Sequence, residues 1–211
     1  MAVEELVSVV RKTRVFLYNL HMSIIFMVFG GLYTGYWLVV ASLPDNFITW
    51  VLAGIGAFIL AVICIYIAYR VTPPITPGYK VPDRVSERFI VAFVTPFIIS
   101  YSVILQLLDN LGVKIIDEIA NVIWYPSLGV GLLLAHLLFE RVIDKLNPGL
   151  VKSRPYLYTG LSITVSSPIP LAVAILGYSS GWYLALGFTI LSYTAAVHAM
   201  YKALTAFRVE E

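Results

Sequence analysis

Six long apolar runs constrain the fold of this chain more than any other feature. Each run is 18–27 residues long; five contain no charged residue, and the sixth contains only Lys202 near its end. A helix needs about 20 mostly apolar residues to cross a bilayer. In lipid every backbone polar group must be paired inside the protein, so each run is predicted to be a membrane-spanning α-helix. The runs are 15–41, 47–69, 89–108, 122–139, 158–177 and 182–203.

The composition agrees with a chain whose surroundings are mostly lipid. Hydrophobic residues make up 60% of the sequence and charged residues only 12%, with a mean hydropathy of +0.88. A soluble domain has about 25% charged residues, so these values exclude a soluble enzyme, a disordered chain and a nucleic-acid-binding domain. We therefore predict an all-α, polytopic integral membrane protein with six transmembrane helices. Its main partner is the lipid bilayer, and no nucleic-acid partner is expected.

The basic residues predict the orientation of the helices. With the N-terminus in the cytoplasm, 13 of the 14 Lys and Arg residues lie on the inner side, and only Lys114 lies outside. Cytoplasmic segments are rich in Lys and Arg, so both termini are predicted to be cytoplasmic, with the protein in the plasma membrane. The resulting organisation is an amphipathic N-terminal segment (1–14), a six-helix transmembrane domain (15–203) and a cytoplasmic tail (204–211).

A helical-hairpin repeat is one interpretation of the helix ends. Helices two, four and six each end with an aromatic residue beside a charged one, and helices three and five each contain a hydroxyl–proline pair. Aromatic belts and flanking cations produce similar ends on unrelated membrane helices. The sequence leaves both interpretations open.

Two proline-containing helices supply the first candidate site. Proline in a helix leaves the carbonyl four residues earlier without its donor, and transporters place ion and substrate sites at interrupted helices with nearby polar side chains. Helix three carries a polar stripe at helical spacing, and helix five carries hydroxyls beside two prolines. The candidate ligand-binding residues are Thr95, Pro96, Ser102, Gln106, Ser166, Ser167 and Pro168. The alternative is a structural kink whose hydroxyls pair the freed carbonyls.

Three histidines form the second candidate site. A rise of 1.5 Å per residue places His21, His136 and His198 roughly 6–10 Å inside the cytoplasmic charge layer. Three imidazoles at one depth suit a zinc or similar metal ion, and two suit the axial ligation of a haem. Glu140 follows His136 by four residues and is positioned to orient its ring. The alternative is that each histidine hydrogen-bonds a neighbouring helix. The metal-site pattern HExxH is absent, which counts against a metal site.

These features give three functional hypotheses. The preferred one is binding or transport of a small neutral or weakly polar solute at broken helices three and five. The second is a redox subunit that binds metal or haem through the three histidines. The third is a non-catalytic subunit of a larger membrane complex, with a membrane-protein partner or a second copy of the chain. The sequence contains no catalytic motif, and the lack of an intramembrane acidic residue counts against a proton- or sodium-coupled pump.

Overall fold

The computed structural model describes most of the chain, with gaps around the second predicted helix. Within the described residues all regular secondary structure is helical. Run 47–69 lies largely outside the described residues, as do residues 67–82. The described residues are 2–41, 43, 48–49, 51–53, 55–56, 59–60, 62–63, 66, 83–84, 87–88, 90–113, 116–178 and 181–207.

Ten α-helices with described bounds are joined or interrupted by four π-helical turns. A π turn is a local insertion in an α-helix, and such turns occur frequently at functional sites. The α-helices are α1 (Ala2–Val28), α2 (Thr34–Ala41), α3 (Thr95–Ile98), α4 (Leu105–Asn110), α5 (Ile116–Val122), α6 (Trp124–Ala135), α7 (Arg141–Leu146), α8 (Pro155–Ser166), α9 (Pro168–Ile175) and α10 (Gly181–Leu204). The π turns are Phe29–Tyr33, Ile90–Val94, Ile99–Ile104 and His136–Glu140, and a 3-10 turn covers Thr205–Phe207.

Five helices among the described residues are long and apolar enough to cross a membrane, which agrees with a helical, multi-span membrane protein. They correspond to the first, third, fourth, fifth and sixth predicted runs. Because the second run lies largely outside the described residues, the count of six, the orientation and the hairpin repeat stay predictions. The five are Glu4–Val40, Ile90–Asn110, Trp124–Leu146, Pro155–Ile175 and Tyr183–Phe207.

The N-terminal segment 1–14 is helical from residue 2, and no break separates it from the first span. The helix α1 continues from Ala2 to Val28 without interruption. Lys and Arg are good helix formers, so the charges before residue 15 mark where the apolar run begins and not where the helix begins. The position of this segment on the membrane surface stays a prediction.

Two compact units divide the chain, and each is described by itself. The first comprises Met1–Val81, Ile143–Pro155 and Thr189–Glu211. The second comprises Pro82–Val142 and Tyr156–Phe188. Helices three and five, which carry the hydroxyl–proline pairs, therefore belong to the second unit.

In the first unit the first and last spans pack against each other in an antiparallel manner. The hydroxyls of Thr34 and Thr189 lie 2.7 Å apart. At the other end of the pair, the rings of Phe16 and Phe207 have their centroids 5.7 Å apart. Residue numbers fall along one helix as they rise along the other, so the two spans run in opposite directions.

Small residues recur every three or four positions along α10. Ala196, Ala199 and Ala203 have no exposed surface. Ser192 lies one turn before Ala196 on the same helix, and a Cβ built on Gly30 would lie only 2.6 Å from the Cβ of Ser192. Small residues at an interface let the backbones of membrane helices approach closely, which explains the close contact between the first and last spans.

In the second unit α6 is the central helix. The third predicted helix (Ile90–Asn110) and the fifth (Pro155–Ile175), called helix three and helix five below, pack antiparallel to it. A Cβ on Gly131 would lie 2.9 Å from the carbonyl oxygen of Ala92, and one on Gly160 would lie 2.9 Å from the backbone nitrogen of Leu133. Glycine at these two positions allows backbone-to-backbone contact on both sides of α6. The first half of helix five is therefore held against α6 by direct backbone packing.

Candidate functional site

Helix three is irregular on both sides of its proline. A π turn at Ile90–Val94 precedes α3, and a second one at Ile99–Ile104 follows it. Pro96 has no N–H to donate to the carbonyl of Ala92, and π turns are one means by which membrane helices pair such a carbonyl again. The hydroxyl of Thr95 lies 3.4 Å from the carbonyl oxygen of Ile90. The interruption predicted at this hydroxyl–proline pair is therefore present.

Helix five is broken at Ser167, between the end of α8 and the start of α9. The hydroxyls of Ser166 and Ser167 both donate to the carbonyl of Ile163, at 3.1 and 2.7 Å. Pro168 has no N–H to donate to the carbonyl of Thr164. That carbonyl accepts the N–H of Ser167 at 3.4 Å instead. The hydroxyls thus bond the backbone of their own helix, as a structural kink requires.

A tyrosine of α6 joins this break from the neighbouring helix. The hydroxyl of Tyr125 lies 3.1 Å from that of Ser166. Tyr125, Ser166 and Ser167 form a group of three neutral hydroxyls, two of which donate to the carbonyl of Ile163, and we call this group the serine–tyrosine cluster. Tyr125 was not among the site residues predicted from the sequence, although an aromatic hydroxyl on a neighbouring helix is a recognisable partner for the hydroxyls of a broken helix.

A separate hydroxyl pair fastens helix three to α6. The hydroxyl oxygen of Ser127 lies 2.7 Å from that of Ser100 and 2.7 Å from the carbonyl oxygen of Ile123. Ser127 has one hydroxyl proton and a carbonyl can only accept, so Ser127 donates to Ile123 and accepts from Ser100. Both serines are buried, and neither was among the predicted site residues.

The predicted polar stripe of helix three does not reach these groups. Ser102 and Gln106 are exposed, and Ser100 is the buried serine of this helix. The prediction of this stripe assumed a continuous α-helix. An inserted π residue turns the side chains that follow it by roughly 100° about the helix axis, so the predicted face is not kept. Of the seven predicted ligand-binding residues, two belong to the serine–tyrosine cluster and five do not. The two are Ser166 and Ser167, and the five are Thr95, Pro96, Ser102, Gln106 and Pro168.

His136 and Glu140 form a buried pair near the C-terminal end of the fourth predicted span, as their spacing predicted. The Nδ1 of His136 lies 2.7 Å from Oε2 of Glu140. The other carboxylate oxygen, Oε1, accepts the backbone N–H of Tyr156 at 3.1 Å. Tyr156 is in the first turn of α8, so the carboxylate of Glu140 satisfies a backbone donor at a helix N-terminus.

The other two histidines belong to the first unit. His21 is half-buried, and its Nδ1 has no hydrogen-bond partner in the described part of the chain. His198 is exposed. Among the described residues there is no group of three or more His, Cys, Asp or Glu side chains arranged to hold a metal ion. The metal or haem hypothesis therefore gains no support from the described residues and stays a prediction.

The serine–tyrosine cluster offers donors and acceptors without charge. Each hydroxyl can donate one hydrogen bond and accept two, and no charged residue occurs in runs 89–108, 122–139 or 158–177. Such a group can exchange its internal bonds for those of a neutral polar molecule without separating an ion pair. No protein-family model, curated protein or solved structure matches this chain.

Proposed function

We propose that this membrane protein binds and conducts a small neutral or weakly polar solute at the serine–tyrosine cluster. The observation that carries the proposal is the break at Ser167, where two serine hydroxyls donate to the carbonyl of Ile163 and the hydroxyl of Tyr125 contacts one of them. Transporters place ion and substrate sites at interrupted helices with nearby polar side chains. The cluster has the chemistry to recognise hydroxyl or amide groups of a solute.

The two halves of helix five have different neighbours, which supports a role for Ser167 as a hinge. The half before the break, α8, packs on α6 through Gly160. The half after it, α9, packs against α5. A break between differently anchored halves allows α9 to tilt while α8 stays in place. That motion would move Ser167 and free its hydroxyl from the carbonyl of Ile163 for an entering solute.

We also infer six crossings with both termini on the cytoplasmic side. The antiparallel pairing of the first and last spans supports an even number of crossings. Because the last span crosses in the direction opposite to the first, the chain ends on the side of the membrane where it began. The described residues contain five candidate spans. The remaining crossing falls to run 47–69, which is the only other apolar stretch in the sequence long enough to span a bilayer.

A flux assay with matched variants tests the proposed function. Proteoliposomes with urea or glycerol as the probe are followed by stopped-flow light scattering. We expect faster re-swelling than in protein-free liposomes, and a slower rate for Ser167→Ala and for Tyr125→Phe. The control is Thr194→Ala, because Thr194 makes the same kind of bond to a carbonyl four residues earlier, at 2.8 Å, in the first unit.

Two outcomes would count against solute conduction. One is a wild-type rate no faster than that of protein-free liposomes for every neutral solute tried. The other is equal slowing by the control and the cluster variants, which would show a general loss of folded protein and not a local effect.

A further inference from the structure

The segment after α7 is folded into a turn that lies on α1. The N–H of Leu150 donates to the carbonyl of Asn147 at 3.1 Å, and the residues between are Pro148 and Gly149. Gly149 has φ +76°, so the turn has the proline–glycine pattern of type II. A Cβ at Gly149 would lie 3.1 Å from Nη2 of Arg11 on α1. The turn therefore sits beside the basic end of the first helix.

Asn19 holds the other end of this segment against the same helix. Its Oδ1 accepts the N–H and the hydroxyl of Ser153 at 2.9 and 2.7 Å. Its Nδ2 donates to the carbonyls of Val15 at 2.7 Å and Leu150 at 3.4 Å. Asn19 and Ser153 have no exposed surface, so every polar atom of the Asn19 side chain is used to fix the segment.

The anchored segment turns its two cations outward. Leu150, Val151 and Ser153 are buried, whereas Lys152 and Arg154 are exposed. This alternation follows from the Asn19 bonds, because a backbone fixed with Ser153 inward places the residues on either side of it outward. The cations are held on a rigid backbone and not on a free loop.

These cations belong to one basic surface of the first unit. The exposed members are Arg11, Lys145, Lys152 and Arg154, which we call the docked-loop patch. Asp144 lies beside it, with Oδ2 3.7 Å from Nη2 of Arg154. The four cations and this carboxylate together carry a net charge of +3. A surface with this excess of positive charge, next to the start of the first apolar run, lies where a membrane presents its headgroups.

We propose that the docked-loop patch is a binding site for anionic phospholipid headgroups. Two guanidinium groups supply the donor fork that fits a phosphodiester, and two ammonium groups add point charges. Basic pockets at the cytoplasmic ends of membrane helices bind acidic lipids in this manner. Because the segment is already fixed by Asn19, little conformational freedom is lost when a headgroup binds.

The test uses the full chain in nanodiscs of phosphatidylcholine with and without phosphatidylglycerol. The association of spin-labelled phosphatidylglycerol is compared with that of spin-labelled phosphatidylcholine. We expect wild type to prefer phosphatidylglycerol, and the double variant Lys152→Gln, Arg154→Gln to lose about fivefold in this preference for each cation removed. High salt should weaken the preference of wild type.

A charge-matched double variant is the control. Arg84→Gln, Lys114→Gln removes the same charge from positions outside the patch and should keep the preference. Lys152→Arg, Arg154→Lys preserves both charges and should also keep it, which separates loss of charge from loss of fold. Equal association of both lipids with wild type, an unchanged preference in Lys152→Gln, Arg154→Gln, or the same loss in the control double variant would overturn the proposal.

Discussion

Oε1 of Glu140 accepts the backbone N–H of Tyr156 at 3.1 Å, so a side chain at the end of one span completes the first turn of the next. The same carboxylate pairs with His136 through its second oxygen. Both oxygens of a group that is 1% exposed are therefore used in hydrogen bonds. The pair gives the loop between two spans a fixed geometry.

Replacement of Glu140 should destabilise the second unit. Glu140→Ala removes the acceptor of two donors, His136 Nδ1 and the N–H of Tyr156, and the loss of such an acceptor costs about 1–3 kcal/mol. We expect a fall of about 3 kcal/mol in the free energy of unfolding, measured by denaturant titration in micelles. Glu140→Gln keeps an acceptor for Tyr156 and should lose less. Equal losses in the two variants would contradict the role of the Tyr156 bond.

The backbone contact at Gly160 should tolerate no side chain. A Cβ there would lie 2.9 Å from the nitrogen of Leu133 and 3.0 Å from the Cβ of Leu132. Gly160→Ala should lower the free energy of unfolding by about 1–3 kcal/mol through overpacking. Gly35→Ala is the matched control, since nothing lies within 4 Å of its Cβ position. Equal stability of the two variants would show that α8 and α6 are not in contact.

The loop at Ser153 should open when Asn19 is truncated. Asn19→Ala removes the acceptor of the N–H and hydroxyl of Ser153. Loss of these buried bonds, worth about 1–3 kcal/mol, should speed tryptic cleavage after Lys152 by roughly tenfold or more. Thr13→Ala is the control, because its hydroxyl bonds only its own helix, at the carbonyl of Val9. A cleavage rate unchanged by Asn19→Ala would refute the anchoring role of Asn19.

Cysteine labelling should show on which side of the membrane residues 114 and 152 lie. In a Cys64→Ser background, Lys114→Cys should react with a membrane-impermeant maleimide added outside intact cells. Lys152→Cys should react only after permeabilisation, since cytoplasmic segments hold the Lys and Arg residues. Labelling of Lys114→Cys from the inside alone would invert the predicted orientation.

Hydropathy predicted five of the spans that the described residues contain because a helix in lipid must be apolar over a fixed length. The break of helix five was also predictable, since Pro168 removes a donor wherever it sits in a helix. The stripe through Ser102 and Gln106 was predicted for a continuous α-helix, and the π turn, which leaves no clear pattern in the sequence, brings Ser100 to the buried face. Tyr125 was missed because its partner, Ser166, is 41 residues away, and tertiary packing decides which helices meet.

The antiparallel pairing of the first and last spans has a consequence for biosynthesis. The first helix enters the bilayer during translation with Asn19 already in place, but Leu150, Ser153 and α10 are synthesised much later. Until Leu150 and Ser153 are synthesised, the side-chain amide of Asn19 must find temporary partners among lipid headgroups, water or an insertion chaperone, because an unpaired polar group is costly in hydrocarbon. The first unit is thus completed after the second has been translated, and nascent chains stalled before residue 153 should keep their first helix unassembled.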